Sequence, residues 1–175
     1  SFGIAIDGQA DVAGYPAGTI NRHLFAGMQQ ANGTAMSRGD WANAASQILP
    51  QSSPVNIWSE AIVDLGTNTV TVNVEVYYTG SQTITTNKLN VAVLQNNVEG
   101  PQSGLSANPG SILPNGNYNH NHMLRHLMTG QWGDELDIIT QGTTITRTYT
   151  WTIPTNLNGV ELDPAEFEVI AFVSE

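Results

Sequence analysis

A run of alternating apolar and polar residues between positions 70 and 77 most constrains the fold of this chain. Four valines occupy every second position, and the residues between them are mostly polar: Val70, Val72, Val74 and Val76 alternate with Thr71, Asn73, Glu75 and Tyr77. Side chains of a strand point alternately to opposite faces, so this run predicts a strand with one buried and one solvated face. Such half-buried strands are typical of antiparallel sheets.

Four other segments carry strand signals, and turn residues separate them. Strands are predicted at 55–63, 88–95 and 167–173, and segment 144–153 alternates five threonines with larger residues. Short strands at this spacing predict an antiparallel, Ig-like β-sandwich. We therefore expect a mainly β fold, with the sandwich domain at residues 51–175.

The end of the first 50 residues shows helical spacing instead. A helix is predicted through 40–49, with Ser37 or Asp40 as its cap and Pro50 as its end. Its buried face is predicted to contain Trp41, Ala44, Ala45, Ile48 and Leu49. The polar linker 51–54 then marks the domain boundary.

A proline turn lies upstream of that helix. Tyr15 and Pro16 end the turn, an apolar/polar alternation at 19–25 predicts a strand, and 2–6 is read as a short strand. This order of turn, strands and helix resembles the closing half of a thioredoxin-like fold, in which the proline is usually cis. We therefore expect residues 1–50 to be the C-terminal part of a thioredoxin-like domain, a partial ββα segment.

The composition argues against several classes of function. The chain has no cysteine, so it forms no disulfide and performs no thiol chemistry. Its net charge of -10 repels phosphate backbones, which argues against nucleic-acid binding. No apolar run approaches the roughly 18 residues of a transmembrane segment. Nucleophile-elbow and phosphate-loop motifs do not occur, so we expect no enzyme activity.

The segment 98–140 is expected to be a long irregular insertion that carries the binding surface, because binding residues concentrate in loops on rigid scaffolds. The candidate binding residues are His120, His122, Arg125, His126 and Trp132. Met123 and Leu124 are expected to lie on a short helix that packs on the sandwich. Trp132 is expected to plug the end of the core rather than to bind a sugar or a protein.

A metal site at the three histidines is the alternative interpretation of this segment. In a helix His122 and His126 share a face, which is a familiar zinc spacing, whereas in a strand His120 and His122 do. A downstream carboxylate from residues 134–137 would complete the ligand set. One local conformation does not suit both histidine pairs, and no cysteine is present. We therefore expect no metal and no cofactor.

Four segments of the chain together carry a family pattern. They are Gly14–Arg22, Ser37–Trp41, Asn87–Asn97 and His120–His126. Over nearly the whole chain they resemble the twenty-eight-kilodalton outer membrane protein family, bacterial surface proteins in which a thioredoxin-like domain precedes a β-sandwich. The resemblance implies an outer-membrane or surface location in the cell envelope. It also implies an N-terminal redox half upstream of this chain.

The resemblance leads to two functional hypotheses. The first is a non-catalytic surface-binding or adhesin-like protein, whose ligand is an unspecified protein or glycan. The second is the C-terminal part of a thiol-disulfide oxidoreductase-like envelope protein, whose redox cysteines lie upstream. A partial thioredoxin-like unit would also expose strand edges, which would allow a homodimer through residues 1–25.

Overall fold

The computed structural model describes residues 2 to 174, and the protein is mainly β. The contacts divide the chain into two compact units, one that ends at Pro54 and one that begins at Val55. Both α-helices described belong to the first unit: α1 (Phe2–Ala10) and α2 (Trp41–Ile48). The long strands belong to the second unit.

The first unit departs from the predicted ββα order. Residues 2–6, predicted as a strand, lie in helix α1. Residues 19–25 form a short turn at 20–22 and otherwise irregular backbone instead of a strand, and Asn21 and Arg22 have left-handed backbones with φ of 55° and 49°. The named strands of this unit, β1 (Ala17–Gly18) and β2 (Met36–Ser37), pair over only two residues each. The apolar/polar alternation at 19–25 is too short to distinguish a strand from a loop. It also contains Asn21, and asparagine readily adopts the positive φ that ends a strand.

Helix α2 begins and ends close to its predicted limits and helps to form a small core. Ala44 is fully buried, and Trp41 and Ile48 pack beside it. Asp40 is the N-cap residue, but its carboxylate makes no capping hydrogen bond. Leu49, predicted on the buried face, is 81% exposed because the helix stops at Ile48 and leaves it at the helix end. Upstream, the Tyr15–Pro16 peptide bond is cis.

Close backbone contact holds α1 against the loop that contains Gly33. The Ala35 N–H donates to the Ala10 carbonyl at 2.9 Å, and the Asn32 N–H donates to the Asp11 carboxylate at 2.8 Å. A Cβ on Gly33 would collide with the Ala10 carbonyl oxygen and would lie 2.7 Å from Asp11 Cβ. Glycine is therefore required here by the close approach of two backbone segments.

The substitution Gly33→Ala should destabilise the first unit by about 1–3 kcal/mol, because α1 must move to admit the methyl group. The matched control is Gly8→Ala within α1, where an added Cβ meets no atom within 4 Å. That control should be stabilising by about 0.5–1 kcal/mol through helix propensity. Urea denaturation followed by far-UV circular dichroism measures both changes. Equal free energies of unfolding for the two variants would contradict this contact.

The second unit contains two main sheets. In the first sheet β4 is the central strand, and β3 and β10 flank it. The three strands are β3 (Val55–Asp64), β4 (Thr69–Tyr78) and β10 (Thr144–Thr152). Both flanking strands pair antiparallel with β4 without a register shift. These strands are the ones that alternation predicted.

In the second sheet β5 is the central strand. It pairs with β13 along one edge and with β8 and β9 along the other. The strands are β5 (Asn87–Gln95), β8 (Met123–Leu127), β9 (Asp134–Leu136) and β13 (Phe167–Ser174). Two short ladders complete the unit: β6 (Val98–Gly100) with β7 (Tyr118–His120), and β11 (Asn156–Leu157) with β12 (Val160–Glu161).

The segment 98–140 is therefore not an irregular insertion, because it contains four strands and two of them extend the second sheet. Met123 and Leu124 lie in strand β8, not in the predicted short helix. The strands in this segment have three to five residues each. Runs this short carry no readable alternation, so the sequence pattern missed them.

One hydrophobic core joins the two sheets. Its buried members are Val70, Val72, Val74, Val76, Tyr78, Leu89, Val91, Leu136, Ile139, Ile145 and Ile153. The valines of β4 come from one face of the first sheet, and Leu89 and Val91 come from the second. Burial of these side chains away from water is the main force that holds the sheets together.

Truncation of this core should be costly. Leu89 has no exposed surface, so Leu89→Ala should lower the free energy of unfolding by about 2–5 kcal/mol. The matched control is Leu65→Ala, in the turn after β3, where the side chain is 75% exposed. This control should change the free energy of unfolding by less than about 0.5 kcal/mol. Thermal and urea unfolding monitored by tryptophan fluorescence compare the two. If Leu89→Ala lowered the free energy of unfolding no more than Leu65→Ala does, the core shared by the two sheets would be refuted.

Candidate functional site

An exposed network of amides and carboxylates lies where β5 ends beside the start of β13. Its members follow the end of β5, lie in β7 and in the β7–β8 connection, and lie just before and at the start of β13: Asn96, Asn97, Asn119, Asn121, His122, Glu166 and Glu168. We call this group the Asn–Glu cluster. The Asn96 N–H donates to the Glu166 carbonyl at 2.9 Å, which fixes the two strand ends side by side.

One half of the cluster is a closed triangle of hydrogen bonds. The His122 N–H donates to Asn96 Oδ1 at 2.9 Å, and His122 Nδ1 lies 2.7 Å from Glu168 Oε2. The Asn96 amide donates to the other oxygen of Glu168 at 2.8 Å. His122 has a left-handed backbone, with φ of 54°, which turns its ring toward β13. The side chains of His122 and Glu168 stay 68% and 42% exposed.

Asn97 organises the other half of the cluster. Its amide donates to Glu166 Oε2 at 2.7 Å, and its side-chain oxygen accepts from Asn119 at 2.9 Å. Its backbone N–H donates to Asn121 Oδ1 at 3.1 Å. The side chains of this half are therefore held by neighbours on both sides while they remain at the surface.

Hydrogen bonding keeps the carboxylates of this region ionised. Donation from Asn96, and then from His122, holds the pKa of Glu168 below its ordinary value. Donation from Asn117 and Asn115 does the same for the pKa of Glu99, on the neighbouring strand β6. Because these donors favour the charged form, both carboxylates act as acceptors at neutral pH.

The three histidines predicted as a group lie in three different environments. His122 belongs to the Asn–Glu cluster, whereas His120 packs its ring at 5.0 Å from that of Tyr118. His126 stacks on Trp151 with the ring centroids 4.5 Å apart and the planes 7° from parallel. Among residues 2 to 174, no three or more His, Cys, Asp or Glu side chains converge as metal ligands would.

Of the other two predicted site residues, Arg125 holds backbone carbonyls and Trp132 is exposed. Arg125 donates to the carbonyls of Val160 and Glu161 at 3.2 and 3.3 Å, and partial burial lowers its pKa. Trp132, predicted to plug the core, is instead 48% exposed. The adjacent turn instead packs closely on the backbone of β5, because a Cβ on Gly133 would lie 2.8 Å from the Leu89 carbonyl oxygen.

Most of the Asn–Glu cluster was missed by the analysis of the sequence. His122 was singled out, but Asn96 and Glu168 were not, although they lie within 2.8 Å of each other across 72 positions of sequence. The one available signal is the density of asparagines at 96–97 and 119–121. That signal does not reveal Glu166 and Glu168, because only the pairing of strands in the sheet brings these carboxylates close to the asparagines.

The pKa of His126 is lowered by burial, so the unfolded state takes up a proton at higher pH than the folded state does. The associated stability is present above about pH 6.5 and is lost as the pH falls through the lower folded pKa. The melting temperature of the wild type should therefore fall more between pH 7.5 and 5.5 than that of His126→Phe, which keeps a ring on Trp151.

The control for this experiment is Leu65→Ala at an exposed position, which removes no titratable group and should retain the wild-type dependence of melting temperature on pH. If the melting temperatures of wild type and His126→Phe changed equally with pH, His126 would not contribute to the pH dependence of stability.

Comparison with known proteins gives the family. The family model for outer membrane protein Omp28 matches residues 4–175. The solved structure of HBP35 of Porphyromonas gingivalis superposes with a TM-score of 0.71 at 18% identity, and the match covers 98% of this chain and 50% of that chain. A domain of the outer membrane lipoprotein Omp28 from Porphyromonas gingivalis gives a TM-score of 0.42 at 18% identity, over 70% of this chain and 77% of that one. No curated protein matches the chain.

The chain thus spans half the length of the HBP35 chain, with which it shares a fold. Neither helix in the described part of the chain has the length and apolar content that a bilayer crossing requires. Because the family match extends over nearly the whole sequence, the chain belongs to the Omp28 family of outer membrane proteins, which places it in the bacterial cell envelope.

Proposed function

We propose that this chain is the ligand-binding part of a non-catalytic surface protein, and that its Asn–Glu cluster binds a neutral, hydroxyl-rich ligand such as a glycan. The observation that carries the proposal is the exposed, mutually braced set of amides and carboxylates at the junction of β5, β8 and β13. A glycan hydroxyl both donates and accepts, and this set offers both functions side by side.

The cluster has hydrogen-bonding capacity beyond its internal contacts. Each asparagine amide carries two N–H donors and two acceptor lone pairs, and the internal bonds described for Asn96 and Asn97 use one donor and one lone pair of each, which leaves one of each kind for a ligand. The internal bonds of Asn96 and Asn97 restrict their rotamers before a ligand arrives. Less side-chain entropy is then lost on binding, which favours affinity.

The charge of the surface favours a neutral or basic ligand over an anionic one. Glu166 and Glu168 lie in the cluster, Glu99 lies on the adjoining strand β6, and the whole chain carries a net charge of -10. Sulfated or phosphorylated ligands would meet repulsion from these carboxylates. The proposal is therefore specific to uncharged or basic sugars.

A non-catalytic role is favoured over hydrolysis because His122 and Glu168 alone do not make a nucleophilic site. Such a site needs a hydroxyl or thiol within hydrogen-bonding distance of the histidine. Within residues 2 to 174, the side-chain partner described for His122 is a carboxylate. The pair instead holds the ring and the carboxylate in fixed positions for binding.

We also propose a fold type for each unit. We infer that the second unit is Ig-like, since its two sheets share one core. The thioredoxin-like interpretation of residues 1–50 follows from the family resemblance and stays a prediction. The redox hypothesis concerns a longer parent protein, and reduction of insulin by the full-length protein is the measurement that supports or refutes it.

The binding proposal is tested on a glycan array, followed by calorimetric titration of the best neutral glycan against wild type and Glu168→Gln. Loss of a charge-assisted hydrogen bond of about 1.5–3 kcal/mol should weaken binding by about 10- to 100-fold. The matched control is Glu60→Gln, an exposed carboxylate on β3, which should bind as the wild type does.

Three outcomes would contradict the proposal. One is equal affinity of wild type and Glu168→Gln, and another is a preference for sulfated over neutral glycans. The third is binding to a protein array with no glycan bound, which would identify a protein ligand instead.

A further inference from the structure

The surface beside the Asn–Glu cluster continues onto the ladder of β6 and β7. Asn119, a cluster member on β7, lies directly opposite Glu99 of β6 in the antiparallel register. Opposed residues in such a ladder have Cβ atoms about 5 Å apart. A further carboxylate therefore adjoins the cluster on the side away from β13.

Two more asparagine amides converge on this carboxylate. The side chains of Asn115 and Asn117 donate to Glu99 Oε1 at 2.7 and 2.6 Å. The Asn117 N–H donates to Asn115 Oδ1 at 3.1 Å, which fixes the turn that precedes β7. We call these three residues the Glu99 group. It repeats the chemistry of the Asn–Glu cluster, in which a carboxylate accepts hydrogen bonds from asparagine amides.

The polar side chains of the β6–β7 ladder lie on its solvent face. Because side chains alternate between the two faces of a ladder, Glu99 and Asn119 lie on one face and Val98 and His120 on the other. Val98 is only 6% exposed, whereas Glu99 is exposed. The face that carries Glu99 and Asn119 is therefore open to a ligand.

Hydrogen-bonding groups remain open along the row from β13 to the turn before β7. Within residues 2 to 174, Asn117 and Asn119 each use one N–H of the side-chain amide, and their side-chain oxygens accept no bond. Glu99 accepts both of its bonds at Oε1, and Glu166 accepts from Asn97 at Oε2, so one oxygen of each carboxylate is left. Donors and acceptors thus alternate along the row, as recognition of hydroxyl groups requires.

The row is longer than one sugar ring. Each of its ends contains two residues that flank an extended one, Glu166 with Glu168 and Asn117 with Asn119, and such residues lie roughly 6–7 Å apart. Asn97 joins the two ends through hydrogen bonds of 2.7 and 2.9 Å. A single sugar ring covers about one of these steps, so most of the row would stay empty beneath a monosaccharide.

We propose that the Asn–Glu cluster and the Glu99 group form one elongated site for a linear, neutral oligosaccharide, whose successive units lie along the row from Glu168 to Glu99. This inference rests on the glycan-binding role proposed above and specifies its substrate class, an unbranched chain of several sugars. The carboxylates along the row disfavour sulfated and uronic-acid chains through repulsion. The hydrogen bonds among the side chains hold them in place before binding, which limits the entropy lost over a long contact.

The dependence of affinity on chain length tests the elongated site. Calorimetric titration of the whole chain uses unbranched neutral oligomers of glucose, mannose, galactose or N-acetylglucosamine, from the monosaccharide to the hexasaccharide. In the series that binds, the tetrasaccharide should bind about 10- to 100-fold more tightly than the monosaccharide, because the additional units add a few hydrogen bonds of ordinary strength. Affinity should level off once the row is filled.

The variant Glu99→Gln tests the far end of the site and preserves the turn around it. The new amide oxygen still accepts from Asn115 and Asn117, while an amide nitrogen replaces the oxygen that is open to the ligand. Affinity for the tetrasaccharide should fall by about 10-fold, and affinity for the monosaccharide should stay at the wild-type value. Glu168→Gln should weaken both, and the control Glu60→Gln on β3 should weaken neither.

The outcomes separate this inference from the binding proposal on which it rests. A gain in affinity with length that Glu99→Gln removes would support the elongated site. Equal affinity for monosaccharide and tetrasaccharide, or an equal effect of Glu99→Gln on both, would overturn the elongated site alone. The neutral glycan that binds best on the array is titrated beside the linear series. If it binds while no linear oligomer does, only this inference is refuted, and if nothing binds, both proposals are.

Discussion

The alternation of valines along β4 is the constraint on which the rest of the second unit depends. Because β4 is the central strand of its sheet, both of its edges are occupied by partner strands and its valine face needs a second layer to cover it. Val72 and Val76 have no exposed surface, and Leu89 of β5 lies in the same core. A slip of one residue in either pairing would turn the valines to water, so the apolar face fixes the register of both neighbours.

That fixed register determines what the surface can do. The second sheet covers the valines of β4 with its central strand β5, and the end of β5 lies beside the start of β13. Asn96 and Glu168 become hydrogen-bonding partners for this reason, although 72 positions separate them in sequence. The Asn–Glu cluster is thus a consequence of core packing, and its rigidity comes from the two strands that carry most of its members.

The sequence by itself determined the long elements, and its lack of cysteine excluded thiol chemistry by this chain. Strands β3, β4, β5, β10 and β13 and helix α2 were predicted close to their observed limits, because each repeats its period often enough to be read. The strand predicted at 19–25, the irregular segment at 98–140 and the burial of Leu49 and Trp132 were wrong. These features depend on a few residues whose state is set by neighbours distant in sequence. The Asn–Glu cluster was decided by tertiary structure alone, since it is a relation between strands and no single segment contains it.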